Sequence, residues 1–329
     1  MNINQMKSAI AKFRKADLSV IKDEQLRNKA KKLQGKEKGF TLLELLVVIT
    51  LIAILATGAL IAYEDVGESA EAASAGNAAA TIDRAIRTYR AVENVYPNQW
   101  DNLVYENGNF LTFGASAMST FLAPWTTTTS SLGTTVLDEI FEESGIEELQ
   151  VVTNDTGPND LGTGIAPNRF HNESSGSAFE VEIEDGLFPQ SVAVVPNDQC
   201  GGVSGIPDTT FNGTTAVSNN FQNRYGDALE GDECHLVIAL GFGGDAAAST
   251  TFSNVAIAQS PTYVRNTGDE DTEVNPEIHY SRYIGLFQAG QYDLEATPNA
   301  WVWNDTLRLI AIVSTDGKNI DELVSEAQQ

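Results

Sequence analysis

Histidine, cysteine and basic residues are all scarce in this 329-residue chain. Its three histidines, His171, His235 and His279, show no metal-ligand spacing, and Cys200 and Cys234 form no zinc signature with them. Neither a nucleophile elbow nor a phosphate-binding glycine loop occurs, so the chain does not read as an enzyme. Lys and Arg number 20 against 45 Asp and Glu, and 11 of those 20 fall in residues 1–39 with only 4 of the acids. The rest of the chain therefore holds 9 basic and 41 acidic residues, a net charge of −32. Such a surface repels nucleic acid, and past residue 39 the one cluster of positive charge is Arg84, Arg87 and Arg90. No nucleic-acid partner is expected.

A second absence says more. From Phe40 to Tyr63 the chain runs for 24 residues without Lys, Arg, Asp or Pro. As a helix this segment extends about 36 Å, enough to cross a hydrocarbon core. Only Glu44 interrupts it. An ionisable group there costs about 3 kcal/mol unless it snorkels or is paired, which marks it as a functional residue. The basic flank before it keeps the N-terminus in the cytoplasm and exports everything past Tyr63. Three plain readings compete: a secretory signal peptide, a simple membrane anchor and a buried soluble helix. A signal peptide has an apolar region of about 7–15 residues, shorter than this one, although Ala56-Thr57-Gly58-Ala59 is a small-residue site. A simple anchor leaves Glu44 unexplained, and a buried helix does not need so long an apolar run.

The segment Lys38-Gly39-Phe40-Thr41-Leu42-Leu43-Glu44-Leu45-Leu46-Val47-Val48-Ile49 resembles the processing site of type IV pilins and type II secretion pseudopilins. The resemblance implies a leader ending at Gly39, removed by a membrane prepilin peptidase, and N-methylation of Phe40. It makes Glu44 the fifth mature residue and an assembly contact, whose carboxylate pairs with the new amine of a neighbouring subunit. The implied product is a pseudopilus or pilus-like filament, with minor or tip subunits as the alternative role. Implied partners are other copies, other pilins or pseudopilins, the peptidase and an inner-membrane assembly platform. The precursor would cross the inner membrane once, and the filament would be periplasmic or extracellular. Two departures stand out: a longer leader than in many relatives, and Ile61 where many carry a kink-forming proline.

Past the membrane, alanine-rich residues 64–93 carry Ile82, Ile86 and Tyr89 on one helical stripe. Gly58, Gly67 and Gly76 mark either flexible points or sites of close helix packing. Tyr96-Pro97 predicts a helix end near Asn94. The run Arg87 to Pro97 resembles the helix end of a major pseudopilin. Domain boundaries follow: leader 1–39; helix 40–97, with 40–63 transmembrane and 64–95 packed on the globular part; acidic domain 98–329. Short β-rich runs predict an antiparallel sheet, giving an α+β, pilin-like class. They are Leu149–Thr153, Ala178–Ile183, Ser191–Val195, His235–Leu240, Phe252–Ala258, Thr262–Arg265, His279–Gln288 and Leu307–Ser314. The run 280–289 is apolar on both faces and so central, and helices are expected over Val136–Glu143 and Asn319–Gln328.

Export permits a disulfide between Cys200 and Cys234, the alternative being two buried thiols. No cofactor is required. Major pseudopilins bind calcium near their C-termini, so the resemblance points to Asp269, Asp271 and Glu273, or to Asp316 and Asp321, as calcium ligands. The alternative is solvated acidic turns. Glu180, Glu182 and Glu184 share one face of a predicted strand, read as an exposed acidic face rather than a catalytic pair. Trp100, Trp125, Trp301 and Trp303 are candidates for an adhesive surface, with core packing as the alternative.

Overall fold

The structure, a computed structural model, describes residues 2–34, 42–104, 118, 120–127, 134–151, 180–183, 188–197, 200, 224–226, 229, 233–266, 273–276, 279–293 and 300–328. The chain divides into two compact units, Met1–Tyr63 and Glu64–Gln329.

The first unit contains helices α1 (Ile3–Lys15) and α2 (Glu24–Gln34), a 3-10 turn at Leu18–Val20, and the start of α3 (Leu42–Glu93). Side chains of residues 2–34 set the ends of these first helices. The Gln5 side chain accepts from the Asn2 amide at 3.1 Å, Asp17 accepts from the Ser19 amide at 2.9 Å, and Asp23 accepts from the amides of Gln25 and Leu26. The Gln34 amide donates to the carbonyls of Phe13 and Ala16, closing the exposed end of α1 with the end of α2.

In the second unit, α3 buries Ala72, Ala75, Ala79, Ile82, Ile86 and Tyr89. Their alternating spacing of three and four is a single helical seam, and its alanines let the helix approach its neighbours closely. Gly76 decides between the two roles expected of the glycines. A Cβ there would lie 3.2 Å from Val324 Cγ2, whereas Gly58 and Gly67 have nothing within 4 Å. Gly76 is thus a close-packing site against the C-terminal helix. Helix α3 ends where Asn94 takes φ 64°, the left-handed conformation that stops a helix, with its amide bonded to the Arg90 carbonyl.

Eight described strands form one sheet: β1 (Trp100–Asn102), β2 (Ala123–Thr126), β3 (Glu148–Val151), β4 (Glu180–Glu182), β5 (Ser191–Val194), β6 (Cys234–Gly241), β7 (Ile284–Asp293) and β8 (Ala300–Val313). Strand β6 pairs with β7 along one side and with β5 and β1 along the other, and β8 closes the β7 side. All pairings are antiparallel except β1 with β3. Helices α4 (Thr134–Glu143), α5 (Gly244–Ala248) and α6 (Ile320–Glu326) complete the described elements. The class is α+β, as expected.

Both faces of the sheet are covered. Along β6, Leu236, Ile238 and Leu240 join the cluster built with Ile82 and Ile86 of α3, while Val237 and Ala239 join a second cluster with Leu103, Met118 and Phe121. Strand β7 likewise sends Phe287 to the first cluster and Leu286 to the second, and its central position matches its two apolar faces.

Four segments differ from the elements expected of the sequence. Phe252–Ala258 is not a strand but a series of turns, and Phe252 is fully exposed. There the Thr250 hydroxyl accepts from the Ile257 amide at 2.8 Å and the Ser253 hydroxyl from the Val255 amide at 3.0 Å, which diverts backbone groups from any ladder. Thr262–Arg265 makes only single bridges, Thr262 with Arg282 and Arg265 with Val274. Strand β1 was hidden by Asp101 and Asn102, poor strand formers. Strand β2 was hidden by Pro124, tolerated because β2 is an edge among the described strands, paired there with β5.

Candidate functional site at the N-terminal segment

Leu42–Leu60 is the one described helix segment long and apolar enough to cross a membrane, and none of it is buried by the protein. An unburied apolar cylinder of this kind needs a lipid or protein environment. Its two hydroxyl side chains are already satisfied within the helix. Thr50 donates to the Val47 carbonyl and Thr57 to the Ala53 carbonyl, each at 2.9 Å, so neither leaves an unpaired polar group for the hydrocarbon.

Glu44 sits in the first turn of α3, exposed. The first turn of a helix, whose amides have no intrahelical acceptor, is its favourable end for a carboxylate. Gly39 and Phe40 lie outside the described residues. They fall between α2, which ends at Gln34, and α3, which starts at Leu42.

The cysteines form a disulfide between Cys200 and Cys234, joining the base of the 34-residue separation to the first residue of β6. Among the calcium candidates, Asp269 and Asp271 lie outside the described residues, Glu273 is half-buried, and Asp321 is exposed in the first turn of α6. Asp316 is engaged by the chain's own donors: Arg265 Nη1 at 2.9 Å, the Tyr263 hydroxyl at 3.0 Å, the Ser314 hydroxyl, and Lys318 Nζ at 3.7 Å. Arg265 and Lys318 also reach Glu326, so this network ties α6 to the 263–265 segment. No group of three or more His, Cys, Asp or Glu is placed to hold a metal ion among the described residues.

Trp100 and Trp125 are fully buried. Trp301 and Trp303 are half-buried and stack at 4.9 Å beside exposed Val302 on β8. Glu182 is exposed, and Glu184 lies outside the described residues.

The end of α3 grips the sheet through long-range contacts that no local sequence pattern encodes. Among the described strands β8 is an edge, with β7 as its one strand partner. Arg90 donates to the Leu307 carbonyl at 2.7 Å and to the Thr306 hydroxyl at 2.9 Å, and Arg87 donates to the Ile310 carbonyl at 3.2 Å. The Leu307 amide donates to the Ser144 hydroxyl at 2.7 Å and the Leu309 amide to the Tyr96 hydroxyl at 2.9 Å. The arginines expected as a basic cluster are therefore partly spent on the sheet edge. A Tyr before Pro at a helix end was the available signal, but its partners lie more than 200 residues away.

Residues 34–60 match the family model described as the prokaryotic N-terminal methylation motif. No curated protein and no solved structure matches the chain. The motif, the apolar helix it contains and the α+β domain are consistent with the type IV pilin and pseudopilin family, and support a membrane-anchored precursor processed by prepilin peptidase.

Proposed function

We propose that this chain is a structural subunit of a type II secretion pseudopilus or a type IV pilus-like filament. The observation that carries the reading is the methylation motif at 34–60 coinciding with an unburied apolar helix that holds Glu44 in its first turn. Prepilin peptidase cuts between Gly39 and Phe40, and Phe40 is N-methylated. The new amine and Glu44 of a neighbouring subunit neutralise each other in a medium where either charge alone is costly. Subunits wait in the inner membrane and then pack helix on helix, with the acidic domains outward in the periplasm or beyond the cell. A domain this acidic stays soluble but repels its copies, so salt or divalent cations assist packing.

The half-buried Trp301–Trp303 stack favours a second reading, a minor or tip subunit that contacts a surface or exported substrate. Abundance in sheared filaments separates the two. The first test is the mature N-terminus, read by sequencing and intact mass. A methylated Phe40 start supports the reading; an intact Met1 or a start near Leu60 overturns it.

A further inference from the structure

We infer that the leader is a surface-lying module that docks on the anionic cytoplasmic face of the membrane before it is removed. Helix α1 leaves Met6, Ile10 and Phe13 exposed, by 47%, 55% and 41%. These fall on one face of the helix by their spacing of four and three. At 100° per residue, Lys7 and Arg14 border that stripe on one side and Lys12 on the other, the arrangement in which basic stems lie along lipid while their charges reach headgroups. Helix α2 repeats the pattern, with exposed Leu26 and Leu33 seven residues apart on one face and Lys29 and Arg27 beside them.

The charge is one-sided. Residues 2–34 hold nine basic and three acidic residues, and the acids serve helix starts: Asp17 and Asp23 accept backbone amides and Glu24 lies in the first turn of α2. Leu18 is the one buried apolar side chain of the described leader, so packing between its elements does not cover either stripe. A 13-residue helix is marginal in water without such cover. The membrane-crossing segment begins at Leu42, eight residues after α2 ends, a separation that limits α2 to within about 28 Å of its start. An anionic lipid surface supplies both the apolar and the charged complement.

The inference rests on the membrane-anchored precursor of the proposed function. Hydrogen exchange of the full-length precursor, made without peptidase and placed in nanodiscs, tests it. In phosphatidylcholine mixed with phosphatidylglycerol, amides of 6–15 should exchange roughly tenfold slower than in phosphatidylcholine alone. Ile10→Glu with Phe13→Glu should restore fast exchange, as should high salt. Equal rates in the two lipids, or protection that survives the double substitution, overturns the inference. Failure of the precursor to enter nanodiscs at all would instead indict the membrane-anchored reading.

Discussion

Arg90 holds its guanidinium carbon 4.1 Å from the centre of the Tyr96 ring, and both residues hydrogen-bond the backbone of β8. The cation stacks on the ring while the ring's hydroxyl accepts from the Leu309 amide. One tyrosine thus orients the arginine and satisfies the sheet edge. Tyr96→Phe keeps the ring but strands a buried amide, so a loss of about 1–2 kcal/mol is expected in urea unfolding of the detergent-solubilised protein. Arg90→Ala removes the stack and two donors and should cost more, about 2–3 kcal/mol. Unchanged midpoints in both variants would show that β8 is held by β7 alone.

The Asp316 network makes a different demand. Asp316 is 10% exposed and Arg265 30%, so their pairing is only partly screened by water. Asp316→Ala leaves Arg265, Tyr263 and Lys318 without their shared acceptor, and a cost of about 1–3 kcal/mol is expected. Because the network ties α6 to the 263–265 segment, amides of 320–326 should lose hydrogen-exchange protection before those of β6 and β7. Simultaneous loss at all these sites would mean that α6 is not a separate opening unit.

Phenols set the alkaline limit of the domain. Burial raises the pKa of Tyr225, Tyr263, Tyr280 and Tyr283, with nearby Asp316 adding to it at Tyr263 and Tyr283, and Asp101 adding at Tyr280, whose hydroxyl donates to it at 2.7 Å. Unfolded tyrosine ionises near pH 10, so above that pH the folded chain binds more protons than the unfolded one. Stability from these groups is complete below about pH 10 and falls as pH rises toward their folded values, by up to about 1.4 kcal/mol per pH unit for each. Phenolate absorbance should therefore rise cooperatively with loss of circular dichroism. A smooth titration of these tyrosines in a still-folded domain would contradict the burial argument.

The disulfide carries a further expectation. Cys200 and Cys234 close a loop of 34 residues' separation, worth about 3–4 kcal/mol in the chain-entropy picture. Cys200→Ser with Cys234→Ser should lower stability by that order, with a larger drop in midpoint than Tyr96→Phe gives. Uptake of two alkyl groups by the denatured protein without prior reduction would remove the bridge itself.

What the sequence disclosed depended on the range of the interaction. The apolar span from Phe40 to Tyr63, the stop near Asn94 signalled by Tyr96-Pro97 and the two apolar faces of the 280–289 run are local patterns, readable from neighbouring residues alone. Strands β1 and β2 escaped because a tertiary setting overrides propensity: Asn102 is satisfied by the Ser191 carbonyl at 3.0 Å, and Pro124 sits on an edge. The grip of Arg87, Arg90 and Tyr96 on β8 was illegible for the same reason. The arginines read as a basic cluster and the tyrosine as a helix-end signal, and only the strand beside them shows what they bind. Phe252–Ala258 misled in the opposite direction, since its apolar content suggested a strand while Thr250 and Ser253 held its amides in turns.

Glu44 gives the sharpest test of the proposed assembly. Its substitution leaves Gly39 and Phe40 intact, so Glu44→Ala should still be cut and methylated. What it loses is the carboxylate that offsets a neighbour's amine in a low-dielectric bundle, and an unpaired buried charge costs about 3–5 kcal/mol. A penalty of that size lowers the fraction of subunits in filaments by roughly two orders of magnitude or more. The variant should accumulate as processed protein in the membrane and be nearly absent from sheared filaments. Glu44→Gln, which keeps the volume but not the charge, should be excluded about as strongly as Glu44→Ala if charge rather than volume is decisive. Filaments containing Glu44→Ala at the wild-type level would remove the pairing and leave apolar packing of the helices as the assembly force.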